Sequence, residues 1–189
     1  MSDSTYIIND PDIDEKVLIY FNDNVDDKSA VKLITDISNS KNNHYTINIY
    51  ISSPGGSGRY GLTIADYIEE CNKAGFEINT YNFGNCSSSA IAIFMAGKNR
   101  YMLDHSRFTF HEIACNISKQ PFGEAVENME IINRVQNDYF EYIKEKCHSV
   151  DHEMNIEEVI NECYNGKTKT IYKNKAALYG IITSEEFKF

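Results

Sequence analysis

The stretch TINIYISSPGGSGRYGLTIADYIEECNKAG, residues 46–75, changes its apolar period at its centre. TINIYI (46–51) is rich in β-branched residues and reads as a strand, bounded by the turn signal SSPGG. Leu62, Ile64, Ala65 and Ile68 then fall at helical spacing, and Gly75 suits a helix stop. The same alternation runs outward in both directions. Before it, KVLIYF (16–21) is a short apolar run, and Asp26 or Asp27 could cap a helix bearing Val31, Ile34 and Ile37 on one face. After it, EINTYNF (77–83) reads as a strand and AIAIFMAG as a buried helix closing at Gly97. RYML and RFTF follow as two short strands. A long helix from about Gly123 to Lys146 then sets Val126, Met129, Ile132, Val135, Tyr139 and Ile143 in a stripe. Strands alternating with helices indicate an α/β domain with βα crossovers. The expected organisation is one domain over 16–189, preceded by a loosely held segment, 1–15.

At 189 residues the chain is long enough to bury about 70% of its unfolded surface. A formal charge of −10 disfavours nucleic acid and anionic membrane as partners, because both repel an acidic surface. No apolar stretch approaches the roughly 20 residues of a membrane span. The opening MSDSTYIINDPDIDEK lacks a basic-plus-apolar signal pattern. Five cysteines (Cys71, Cys86, Cys115, Cys147, Cys163) include no CxxC pair, which fits reduced thiols and a cytoplasmic location.

Three short pieces could carry chemistry. SPGG (53–56) after a strand is most often a tight turn, yet two glycines also let backbone N–H groups approach a ligand oxygen, as an oxyanion hole requires. FGNCSSSAIAIFMAG (83–97) runs three serines into a helix. A serine there is usually a cap, but the helix start also stabilises negative charge beside a nucleophile. RFTFHEI ends an alternating strand at His111, which alone would pass as a surface histidine. His44, His105, His148 and His152 read as surface residues. His148 and His152 are spaced i, i+4 beside Glu153, but no third ligand follows at useful spacing, so a zinc site is not expected.

In order, INIYISSPGGSGRYGLTIADYI, GNCSSSAIAIFMAG, SRFTFHEI and KAALYGII resemble the ClpP family, the proteolytic subunits of the Clp protease. The family pattern is a strand ending in S-P-G-G, then G-x-x-x-S-x-(A/G) leading into a helix that ends A-G. A strand ending in His and an E-A-x-x-Y/F-G-L/I segment come next. The resemblance spans about Val17 to Ile182, with insertions of a few residues between Asp66 and Ser88 and after His111. Counting forward from Gly84 and back from Gly97 both reach Ser88.

The resemblance implies Ser88 as nucleophile, His111 as general base, and the backbone N–H groups of Gly56 and Ser89 as oxyanion donors. The family's aspartate has no counterpart: counting back from Ala176 reaches Thr168, and no acid lies between Asn165 and Tyr179. Lys175 stands where the family has the Glu of E-A. Three alternatives follow: Asn165 or Thr168 orients His111 by a neutral hydrogen bond, a dyad operates, or activity is impaired. The implied fold is the ClpP/crotonase-like spiral of ββα units with the helix at 123–146 as a protruding handle.

The implied assembly is a homo-oligomer of heptameric rings, single or stacked as a tetradecamer, or a ring mixed with a paralogue. The implied partners are a hexameric AAA+ Clp ATPase and unfolded polypeptide substrates. No GxxxxGK[ST] motif is present, so ATP hydrolysis falls to the partner, and no cofactor or metal is expected. Two other readings remain at this point: a non-catalytic ring subunit, favoured by the missing acid, and a crotonase-type acyl-CoA enzyme, for which the chain leaves little room. A membrane-anchored Ser–Lys signal peptide peptidase is disfavoured by the lack of an apolar anchor.

Overall fold

The computed structural model describes residues 5–8, 16–41, 46–114 and 121–186. Three consecutive βα units form its centre: β2 (Lys16–Phe21) with α1 (Asp27–Ser40), β3 (Thr46–Ser53) with α2 (Gly58–Lys73), and β4 (Glu77–Ser87) with α3 (Ser89–Met95). These three strands pair parallel, and β1 (Thr5–Ile8) adds antiparallel on the outer edge of β2. The expected loose segment 1–15 therefore contributes this strand, and its remainder lies outside the described residues. On the far side, β4 pairs with both β5 (Arg100–Met102) and β6 (Arg107–Phe110), and β7 (Lys169–Tyr172) closes the sheet antiparallel to β6. The long α4 (Phe122–His148), α5 (Glu157–Tyr164) and α6 (Lys173–Leu178) complete the chain.

One face of the sheet lies against the helices, and the other carries a separate line of aromatic residues. Val17, Ile19 and Phe21 join Ile47, Ile49, Ile51 and Ile78 in the main core beneath the helices. On the other face Tyr20, Tyr50, Tyr81 and Tyr101 occupy one register line across four strands. Their rings stack at 5.3, 4.7 and 4.8 Å, a ladder of offset aromatic contacts that locks strand register.

Helix α1 corrects one expectation. Asp26 caps it through a capping box with Ser29, and Ala30, Leu33 and Ile37 face inward with Ile34 half-buried against the same core. Val31, one position from Ala30, is left 67% exposed instead. Strand β4 also runs past the expected end at 83. Its register against β3 shifts between Ile51 and Ser53, and beyond this irregularity β4 leaves β5 and takes up β6. Helix α4 divides the expected stripe in two. Tyr139 and Ile143, with Phe140 and Cys147, are buried, whereas Phe122, Val126, Met129 and Ile131 stand exposed.

Arg100 holds the carboxyl-terminal segment to this frame. Its guanidinium, only 4% exposed, donates to the carbonyls of Ile181 (2.8 Å), Gly180 (3.1 Å) and Lys146 (3.3 Å). Removing it leaves buried carbonyls without a donor. Arg100→Met is expected to cost about 3 kcal/mol, and thermal unfolding should show the midpoint falling by roughly 10 °C.

Candidate active site

The turn after β3 is pressed against the start of α3. Gly55 has φ of 87°, and a Cβ there would sit 2.5 Å from the Ser87 carbonyl and 2.7 Å from Ser88 Cβ. Only glycine tolerates both the conformation and the approach. The loop before α1 clamps the turn from the opposite side: Val25 N–H donates to Gly55 O at 2.9 Å and Ser57 N–H to Val25 O at 2.8 Å. Because Val25 bridges the residues flanking Gly56, the N–H of Gly56 itself points away from Val25.

The three serines have three different fates. Ser87 is buried and donates to Asn85 Oδ1 at 2.9 Å. Ser89 opens α3; its backbone N–H is among the first-turn donors that have no intrahelical acceptor, and its buried hydroxyl has no partner among the described residues. Ser88 occupies the corner itself with φ 51° and ψ −132°, alone among the described non-glycine residues in having positive φ. Such strain persists only where the surroundings enforce it. Here Ser88 N–H donates to Thr109 O at 2.9 Å, and its carbonyl accepts from Ile91 N–H and the Tyr139 hydroxyl, both at 2.9 Å. Its side chain makes no capping bond, so Ser88 heads the helix without serving as its cap.

His111 follows β6 directly, and β6 pairs with the last three residues of β4, which end beside Ser88. Its Nδ1 lies 2.6 Å from the carbonyl oxygen of Glu112. A carbonyl only accepts, so Nδ1 carries the proton at this contact, and in the neutral ring Nε2 then holds the lone pair. Ser88, Ser89, His111, Gly55 and Gly56 line one cleft of about 230 Å³. The four residues singled out in the sequence for attack, proton transfer and oxyanion binding therefore share a single cavity. Among the described residues the Ser88 hydroxyl and His111 Nε2 have no hydrogen-bond partner, and with the N–H groups of Gly56 and Ser89 they are the parts that acyl transfer requires.

The candidate third members stand apart from this cluster. Asn165 is exposed at the end of α5, and its side-chain amide donates to Asn161 O at 2.8 Å. Thr168 is exposed just before β7; the β6–β7 register, continued one step past Phe110 and Lys169, sets it opposite His111. Neither side chain hydrogen-bonds His111 among the described residues, and the Glu112 carbonyl holds Nδ1 instead. Tyr139 was legible only as part of an apolar stripe, yet its buried hydroxyl supports the Ser88 corner. Burial pushes the Cys86 thiol well above its ordinary range, which makes this neighbour of the serines a poor nucleophile. Cys71, Cys147 and Cys163 are likewise buried and free, and Cys115 lies outside the described residues. The rings of His148 and His152 stack at 5.3 Å, and no group of three possible metal ligands occurs among the described residues. No helix among them is long and apolar enough to cross a membrane.

The architecture is that of the ClpP/crotonase-like class. It superposes on a ClpP1 mutant from Listeria monocytogenes with a TM-score of 0.70, covering 89% of this chain and 91% of that one at 20% identity. The chain belongs to the Clp protease family, whose sequence model matches residues 5–184. Similar proteins include the ATP-dependent Clp protease proteolytic subunit 2 of Rhodococcus jostii, 32% identical over 106 residues that make up 53% of this chain and 52% of that protein. The ATP-dependent Clp protease proteolytic subunit of Carsonella ruddii is 29% identical over 123 residues, 61% of this chain and 60% of that one. The chain spans about half the length of the first of these relatives and three-fifths of the second.

Proposed function

We propose that this chain is a serine peptidase subunit of Clp type. Ser88 attacks the scissile carbonyl, His111 takes its proton through Nε2, and the N–H groups of Gly56 and Ser89 bind the oxyanion. One observation carries the reading: Ser88 is held in a strained corner with its hydroxyl unpaired among the described residues, in the same cleft as an imidazole whose Nδ1 is already engaged. The chain acts on unfolded polypeptide in the cytoplasm, delivered by a hexameric AAA+ Clp ATPase, and assembles as heptameric rings, single or paired. The exposed apolar residues on the first half of α4 support a contact between copies.

A short fluorogenic peptide and the mass in solution test both parts together. The expected result is slow hydrolysis by a ring-sized particle, and Met129→Glu should shift the mass to smaller species, because it places an unpaired charge in the contact. Met129 is the cleaner position for this purpose, since Val135 is half-buried against Gly58 within one chain. A monodisperse monomer that hydrolyses the peptide would contradict the ring.

A second reading, a catalytically impaired ring subunit, is favoured by the absence of any carboxylate on His111 Nδ1 among the described residues. Thr168→Asp tests what the missing carboxylate costs. A carboxylate opposite His111 favours the imidazolium and so raises the histidine pKa. The rate depends on neutral imidazole, so the acid limb of the pH–rate profile should move to higher pH while turnover rises. An unchanged profile would mean that position 168 does not face His111.

A further inference from the structure

The peptide unit joining Glu112 to Ile113 is hydrogen-bonded at both ends. Its carbonyl accepts from His111 Nδ1 at 2.6 Å, and its N–H donates to Gln136 Oε1 at 2.7 Å. Gln136 sits in α4, three residues before Tyr139, whose hydroxyl donates to the Ser88 carbonyl at 2.9 Å. One turn of α4 therefore reaches both the strained serine corner and the segment that carries the histidine. The approach is close because residue 58 is glycine: a Cβ there would lie 3.0 Å from Val135 Cγ1 and 3.4 Å from Ile113 Cδ1.

We propose that Gln136 is a positioning residue for His111, acting through the Glu112–Ile113 peptide. By accepting the Ile113 N–H, its amide oxygen fixes the plane of that peptide and turns the Glu112 carbonyl onto Nδ1. The bond selects the Nδ1–H tautomer and leaves the Nε2 lone pair for Ser88. Hydrogen bonds in series polarise one another, so the anchored peptide is also the better acceptor. The orienting part of a carboxylate's role thus passes to a neutral amide relay running from α4 to the imidazole. This inference rests on the reading of His111 as general base for its consequence in catalysis, but not for its geometry.

The test follows the tautomer directly. In protein labelled with ¹⁵N-histidine, at a pH where the imidazole is neutral, wild type is expected to show His111 as the Nδ1–H form. Gln136→Met removes the acceptor at similar length and should shift His111 towards the Nε2–H form. Gln136→Asn, which retracts the oxygen by one methylene, should do the same if the first variant folds poorly. Gln136→Glu restores an oxygen acceptor and should restore the Nδ1–H form. In peptide hydrolysis, kcat should fall at least about tenfold in Gln136→Met with KM unchanged, and Gln136→Glu should recover most of it. A tautomer unmoved by both Gln136→Met and Gln136→Asn overturns the relay. A tautomer that responds in a protein without peptidase activity upholds the relay and removes the proposed function.

Discussion

Ser88→Ala reduces peptide hydrolysis to background, a loss expected to be about 10⁴-fold or more. The size follows from the role: without the hydroxyl no acyl-enzyme forms, and only oxyanion binding and substrate placement remain. His111→Ala should match this loss rather than add to it, since members of one catalytic unit are not additive. The neighbouring serines provide the contrast. Ser87 spends its hydroxyl on Asn85 Oδ1, and the part proposed for Ser89 is its backbone N–H, so alanine at either position should keep a sizeable share of the rate. Parallel kcat measurements on the three variants check the assignment. Full activity in Ser88→Ala, or background activity in all three, would undo it.

Gly55→Ala is expected to damage both stability and activity. An L residue held at φ 87° costs roughly 1–2 kcal/mol. Its Cβ would also meet the Ser87 carbonyl at 2.5 Å and Ser88 Cβ at 2.7 Å, and backbone cannot yield as the tip of a long side chain can. Together these amount to about 3–5 kcal/mol, which should lower the thermal midpoint by on the order of 10 °C. Relieving the clash displaces the serine corner, so hydrolysis should fall even at temperatures where the variant is folded. Gly75→Ala is the natural control: φ there is 95°, but nothing lies within 4 Å of the added methyl. It should show only the conformational cost, about 1 kcal/mol, with activity retained. Equal effects from the two substitutions would mean that the Gly55 contact is unimportant.

What the sequence displayed of this fold depended on how local each signal was. The strand, turn and helix of residues 46–75 were legible because a β-branched run, a proline–glycine turn and a helical period follow one another without a gap. The phase of α1 was not, since Val31, Ile34 and Ile37 and Ala30, Leu33 and Ile37 are both apolar stripes, and packing against the core buries the second. The full length of β4 was hidden by its register shift, where Asn82 Nδ2 donates to Arg107 O and Asn82 Oδ1 accepts from Gly84 N–H. Gly84 and Asn85, just past the expected strand end, look like a loop in a sequence, although Asn85 pairs with Arg107 of β6 in the structure.

The site divides the same way. Ser88 and His111 stood at the ends of short motifs, so counting residues reached them. Gln136 and Tyr139 meet the site from α4, 23 residues beyond Ile113 and 51 beyond Ser88. A glutamine on a helix otherwise resembles a solvated surface residue, and a tyrosine in an apolar stripe resembles core. The segment from 157 to 172 offered little signal, because α5 and β7 are short and β7 alternates exposed with buried positions.

Ser88 is proposed as the nucleophile of a serine peptidase. Treating the purified wild-type protein with a fluorophosphonate probe and mapping the adduct by peptide mass spectrometry tests it most directly. One adduct, on Ser88, formed in step with loss of peptide hydrolysis and absent from His111→Ala, is the expected result. Hydrolysis that survives complete labelling, or an adduct confined to another residue, would contradict it.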